Sequence, residues 1–346
     1  MRCKYNTIYV LLPSFYATGG VELGHQLVDY LRKMAISAYA VYLDTSGQIV
    51  QNAQVPDVYR KYNIESANRI EDVEGSMIVI PETMPEMARL FHKARMALWW
   101  MSVDNFTSRY LGISPLVWSN DKSIWRNIKK NVHIMLSHIP LASTDILSYF
   151  RCNKERMMHL YQSEYARQYI LKNQLGTCMK LSDYINQDLF PKQKIDRNAK
   201  KDIVMYNPAK GYEYTQKIIA VCPNVQFVAL KGFSREELNK VFDSAKLYID
   251  FGNFPGKDRL PREAVLHDCC IITGKLGASA YYEDVPIKDE YKFDAVESNI
   301  PAIVEKIKFV LKNYADVVGD FDAYRKIVAE EQELFCKEIE HIFIEQ

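Results

Sequence analysis

Lys257, Arg259 and Arg262 stand close together beside Pro261 and Glu263, inside a stretch that runs from Leu247 to Gly274. Residues 247–251 and 269–273 are apolar and β-branched enough for two buried parallel strands. Between them Pro261 suits the first turn of a helix, and Asp258 suits its cap or a pairing with Arg262. Unpaired N–H groups at a helix start, the helix dipole and fixed cations all favour a bound anion. Gly256 gives the loop a small residue beside those cations. Glu263, one turn further in, is placed to accept hydrogen bonds from a ribose. The types and spacing point to a site for a nucleotide diphosphate. For each cation the competing reading is a solvated charged loop, and for Glu263 a helix-surface carboxylate.

Other residues carry weaker signals. Asp104 follows the apolar run Trp99-Trp100-Met101, at the strand end that faces the ligand crevice in open α/β sheets. It is suited to orienting an acceptor hydroxyl or serving as a base, and equally to an Asx turn or helix cap. Gly274, Gly277 and Ser279 follow the strand at 269–273. They are candidate donors to a ligand, or an ordinary strand-end turn. His25 reads as a packed or solvent-facing histidine. His133 and His138 would point to opposite faces of a strand, which argues against a shared metal. Asp320-Phe321-Asp322 lies between charged helices, so capping is the expected role, and no metal is expected. The stretch 118–130 mixes Trp118, Trp125, Arg126, Lys129 and Lys130, a composition that suits a membrane surface, an acceptor or a half-buried helix.

The 346 residues exceed one typical core, so two domains are expected. Lys plus Arg number 44 against 43 Asp plus Glu, a balance that disfavours a nucleic-acid binder. Seven cysteines without C-x-x-C pairs indicate free thiols in a reducing compartment. The apolar run 8–12 is too short for a signal peptide, and none reaches the ~18 residues of a membrane span.

Strands are expected at 8–12, 39–43, 77–80, 97–101, 132–136 and 158–162, with helices at 21–34, 82–92 and 165–173. The polar stretch 186–201, with Pro191, reads as a linker. A second alternation follows: strands at 203–206 and 226–230, helices at 212–221 and 235–245, then the opening stretch and helices from residue 300. The fold class is α/β, two Rossmann-like doubly wound domains. The boundaries expected are 1–188, 189–320 and a terminal helix at 321–346 that packs on the first domain.

The ordered motifs resemble the GT-B glycosyltransferases, most closely family 4. Gly19-Gly20-Val21-Glu22 resembles that family's first glycine loop, and Asn207-Pro208-Ala209-Lys210-Gly211 its Lys-Gly motif. Lys231-Gly232-Phe233-Ser234-Arg235-Glu236-Glu237-Leu238 is similar to the loop and helix near the nucleobase. Residues 255–263 fall where the family carries two Glu separated by seven residues; Pro255 replaces the first and Glu263 matches the second. No Arg precedes Lys210 in the family's manner. The resemblance spans most of the C-terminal half and about the first 35 residues, and it suggests a bacterial surface-polysaccharide subgroup.

It implies sugar transfer from a nucleotide-diphosphate sugar, of UDP or GDP type, to a saccharide or lipid-linked acceptor, without metal or cofactor, by an enzyme in the cytoplasm or at the membrane's inner face. Lys210, Arg259 and Asp104 are the implied catalytic residues, with Lys257 a further cation for the diphosphate. Gly19, Gly20, Asn207, Gly232, Phe233, Gly256, Lys257, Glu263 and Ser279 join Lys210 and Arg259 as implied donor-binding residues. A retaining hexosyltransferase is the expected type. A nucleotide-sugar epimerase and a non-catalytic binding or assembly subunit of the same fold stay open.

Overall fold

The computed structural model describes residues 2–14, 18–111 and 143–345. The strand expected at 132–136, His133, His138 and the aromatic-basic stretch 118–130 lie outside the described residues. The chain divides into two compact units: Met1–Gln162 with Ala166–Asp183 and Glu333–Gln346, and Ser163–Tyr165 with Tyr184–Gln332.

The first unit is built on a six-stranded parallel sheet. Its strands are β1 (Thr7–Pro13), β2 (Ala38–Leu43), β3 (Ser76–Pro81), β4 (Arg95–Trp100), β5 (Met157–Tyr161) and β6 (Cys178–Lys180), in spatial order β2-β1-β3-β4-β5-β6. Runs such as Ile8–Leu12 and Met96–Trp100 are buried throughout, because parallel strands are covered on both faces. Helices α1 (Gly19–Lys33), α2 (Val103–Leu111), α3 (Ser143–Cys152) and α4 (Glu164–Lys172) accompany it. In α1 the buried Leu23, Leu27 and Leu31 recur every four residues, while Arg32 and Lys33 complement the dipole at its end. The helix expected at 82–92 is instead a short 3-10 segment, Pro85–Leu90. Pro85 removes a backbone donor there, and Phe91 already returns to extended backbone.

The second unit carries a five-stranded parallel sheet in the order β11-β10-β9-β7-β8. Its strands are β7 (Lys201–Tyr206), β8 (Gln226–Ala229), β9 (Ala245–Asp250), β10 (Cys270–Gly274) and β11 (Lys292–Phe293). Its helices are α5 (Tyr212–Ala220), α6 (Arg235–Ser244), α7 (Arg259–Leu266), α8 (Ile300–Lys312), α9 (Tyr314–Val317) and α10 (Asp322–Phe343), the last continuing into residues grouped with the first unit. Lys200, at the end of the expected linker, is buried. Its ammonium donates to the carbonyls of Phe242 at 2.8 Å and Ala245 at 2.9 Å and to that of His267, tying strand β7 to the ends of α6 and α7.

Strand order reverses between β1 and β3 in one sheet and between β7 and β9 in the other. Loops leaving neighbouring strands at such a point diverge and open a crevice. Around β7 and β9 the loops also approach very closely. Gly211 takes φ 58°, and a Cβ there would lie 2.6 Å from the Gly252 nitrogen. Gly277 takes φ 67°, and a Cβ would lie 2.1 Å from the Phe254 carbonyl. Phe254 N–H donates to Leu276 O at 3.1 Å and Ala278 N–H to Phe254 O at 2.8 Å, joining the loops after β9 and β10.

Gly277→Ala is expected to destabilise the protein by at least about 1–3 kcal/mol, from backbone strain and forced separation of the two loops. Urea denaturation reads this directly; an unchanged midpoint would contradict the close apposition.

Candidate functional site

Residues 207–211 leave β7 through an Asx turn, with the Asn207 carboxamide oxygen accepting from Ala209 N–H at 3.0 Å. This turn carries Lys210 towards the loop after β9. There its Nζ meets both oxygens of Asp258, at 2.8 and 2.6 Å, and stands 5.8 Å over the Phe254 ring. Asp250, at the end of β9, is buried and accepts from Gly252 N–H and Tyr248 Oη, each at 2.8 Å. Burial pushes its pKa up to about 6, against the hydrogen bonds that favour the charged form. Burial also raises the Asp258 pKa, opposed by Lys210 and Arg262. Asp258 occupies the cap position of α7, yet its side chain makes no cap hydrogen bond.

Glu263 sits on α7 with its side chain fully buried. Its Oε2 accepts from Arg235 Nη1 at 2.7 Å. Arg259 Nε lies 2.7 Å from Oε1, but without the alignment of a hydrogen bond, so that oxygen keeps an unfilled acceptor position. Arg235 Nε is likewise buried and unfilled. A buried carboxylate oxygen without a hydrogen-bond donor is costly, and a ligand hydroxyl would satisfy it. Arg235 did not stand out among the surface cations in the sequence. Its signal was its place: Ser234 caps α6 in a capping box with Glu237, which fixes Arg235 as the first helical residue. Before it, Gly232 at φ 80° has open space around it and Phe233 is exposed.

Several expected site residues take other roles. Lys257 is turned inward rather than to the loop surface: its Nζ pairs with Glu331 Oε1 at 2.8 Å, only 11% of its side chain being exposed. Arg262 pairs with Glu331 Oε2 at 2.8 Å, and its Nε donates to the Asp258 backbone carbonyl at 3.1 Å. Both cations are drawn inward because Glu331 is itself buried and needs opposite charge. Ser279 is buried with its hydroxyl donating to Leu276 O at 2.9 Å and accepting from Leu276 N–H at 3.1 Å. Its hydrogen bonds close its own turn. Gly256 is buried in the loop between β9 and α7.

In the first unit Gly19 and Gly20 open α1, and a Cβ on Gly20 would stand 3.5 Å from Met101 Sδ. Asp104 lies in the first turn of α2, half-buried. Beside the end of β4 is a residue the sequence did not single out, Glu82. It is buried and accepts from Met101 N–H at 3.2 Å. Burial raises its pKa to about 7, against hydrogen bonds from backbone and Asn105. Its place just after β3 made it look like the start of a helix. His25 is packed as expected, with Nδ1 2.7 Å from Val21 O and Nε2 2.8 Å from Tyr42 Oη. Asp320 accepts from Lys288 and Tyr291, each at 2.7 Å, while Asp322 pairs with Arg197 and Arg325. Ion pairs, rather than capping alone, therefore use both carboxylates. Among the described residues no group of three His, Cys, Asp or Glu is arranged to hold a metal, and no helix is long and apolar enough to cross a membrane.

No protein-family model matches the chain, and no curated protein matches it in sequence. Solved structures do resemble it. The structure of TarM is 14% identical, with a TM-score of 0.53 over 88% of this chain and 66% of TarM, so the chain spans just under two thirds of that protein. HepE of Anabaena, solved in complex with UDP, is 11% identical, with a TM-score of 0.56 over 97% of this chain and 99% of HepE. WaaG, a glycosyltransferase involved in lipopolysaccharide biosynthesis, is 9% identical, with a TM-score of 0.52 over 96% of this chain and 99% of WaaG. At these identities the likeness establishes the fold, which is GT-B: two Rossmann-like units in one chain.

Glu82 generates a pH prediction. Its folded pKa of about 7 lies above the ordinary carboxyl value, so the folded state holds a proton that the unfolded chain releases. Stability from this group is complete below the unfolded pKa and is lost as pH rises through about 7. Denaturation midpoints should therefore fall from about pH 4.5 to 7, and Glu82→Gln should flatten part of that slope, each unit of displacement being worth about 1.4 kcal/mol. Identical pH profiles for the two proteins would contradict the assignment.

Proposed function

We propose that the chain is a glycosyltransferase that moves a sugar from a nucleotide-diphosphate donor to a saccharide or lipid-linked acceptor in cell-surface polysaccharide synthesis. The observation that carries this reading is Glu263, a fully buried carboxylate with one unfilled oxygen, standing between Arg235 and Arg259. A ribose diol supplies the missing donors, and the diphosphate next to it finds Lys210, Arg259 and the uncapped first turn of α7. Those groups would carry the charge that grows on the leaving diphosphate as the glycosidic bond breaks, without a metal or cofactor. The exposed Phe233 beside Gly232 offers a face for the nucleobase, with Asn207 on the opposite loop.

The complex of HepE with UDP and the role of WaaG in lipopolysaccharide biosynthesis support the donor class and the setting. Gly19 and Gly20 are kept as donor-binding residues, and Asp104, just past the end of β4, as the group that orients the acceptor hydroxyl. Retention of the anomeric configuration, a hexose as the transferred sugar, and work at the cytoplasmic face of a membrane follow the family-4 resemblance.

Turnover tests the reading: UDP and GDP release from a donor panel, with and without acceptor extracts. Acceptor-stimulated release of one nucleotide is expected, and Arg259→Ala should lower kcat/KM by about 10²-fold while leaving the fold intact by circular dichroism. Tight nucleotide binding without turnover under any acceptor would favour a non-catalytic binding subunit instead.

A further inference from the structure

Asp258 is a carboxylate where an anionic ligand is to bind, and the fold keeps it there. Its backbone carbonyl accepts from Arg262 Nε at 3.1 Å, and the carbonyl of Lys257 accepts from Arg262 Nη2 at 3.1 Å. Arg262 in turn is held by the buried Glu331, which also holds Lys257. The backbone of the loop is thus pinned on both sides of Asp258. Its side chain reaches Lys210 with both oxygens rather than capping its own helix. Both members of the pair keep an accessible fringe, with 31% of the Lys210 side chain and 18% of the Asp258 side chain exposed.

We infer that Asp258 is a specificity-determining residue of the donor site, favouring an intact nucleotide sugar over the free nucleoside diphosphate. The inference rests on the donor site proposed above. A free diphosphate ends in a phosphate with an extra ionisable oxygen, and that charge would meet the Asp258 carboxylate at Lys210. Like charges at such range in a partly buried site are strongly unfavourable. In a nucleotide sugar the same oxygen is esterified, which removes the extra charge. The attached ring brings neutral hydroxyls, which donate to a carboxylate. Asp258 therefore attracts the group to be transferred and repels what remains after transfer. The discrimination raises affinity for substrate relative to product and speeds product departure, a step that limits many enzymes with two-domain sites.

The test compares wild type with Asp258→Asn and Asp258→Ser by isothermal titration with UDP, UDP-glucose, GDP and GDP-mannose, alongside melting temperatures. In the nucleotide series that binds, the ratio of Kd for the diphosphate to Kd for its sugar ester should fall about tenfold in both variants, chiefly because the diphosphate binds more tightly. A ratio unchanged within about threefold, or a diphosphate bound more weakly by the variants, would overturn the inference and leave the donor site standing. No binding of any of the four probes to wild type would overturn the donor site itself, and the inference with it.

Discussion

Buried negative charge in the second unit dictates where its cations go, and the rest of the site depends on that pairing. Glu331 on α10 is almost fully enclosed, and both its oxygens are matched, by Lys257 and Arg262. Removing either partner would strand a buried charge, so the loop between β9 and α7 is held in one conformation. Glu263 draws Arg235 and Arg259 in the same way, and Asp258 draws Lys210. Three carboxylates thus organise five cations. Among the described residues of this site, Glu263 Oε1 and Arg235 Nε keep hydrogen-bond positions unfilled. A ligand that fits must satisfy those positions, and this constrains its chemistry more than a count of positive charges does.

The sheet topology supplies the setting. Strand order turns round between β7 and β9, and the loops that follow them are joined by the Lys210–Asp258 pair. Close backbone contact of Gly211 with Gly252, and of Gly277 with Phe254, removes side-chain bulk between the loops. The loop after β10 then supports the loop after β9, and Ser279 is spent on closing that support. In the first unit the corresponding reversal lies between β1 and β3, and Glu82, just after β3, is enclosed beside Met101, just after β4.

Much of the fold was legible because long buried strands alternate with amphipathic helices, a pattern that local periodicity records. The strands from β1 to β5 and from β7 to β10 fall close to their expected positions. β6 and β11 were missed because three and two residues carry no usable period. The helix at 82–92 failed because Pro85 outweighs the apolar spacing around it. At the site, the motif order located the loops, but not the pairing within them. Lys257 looks like a surface cation until Glu331, 74 residues later, is folded against it. Arg235 looks like one more charge in a polar helix until the capping box places it over Glu263. Pairing between distant elements has no period, and only the packed structure reveals which charges are used up.

We propose that Glu263, Arg235, Arg259 and Lys210 form one nucleotide-diphosphate site in the second unit. A crystal structure of the protein soaked with UDP or GDP tests it most directly. A ribose hydroxyl is expected on Glu263 Oε1, with the diphosphate against Lys210 and the first turn of α7. A nucleotide bound elsewhere, with Glu263 Oε1 still unfilled and Lys210 still on Asp258, would contradict it.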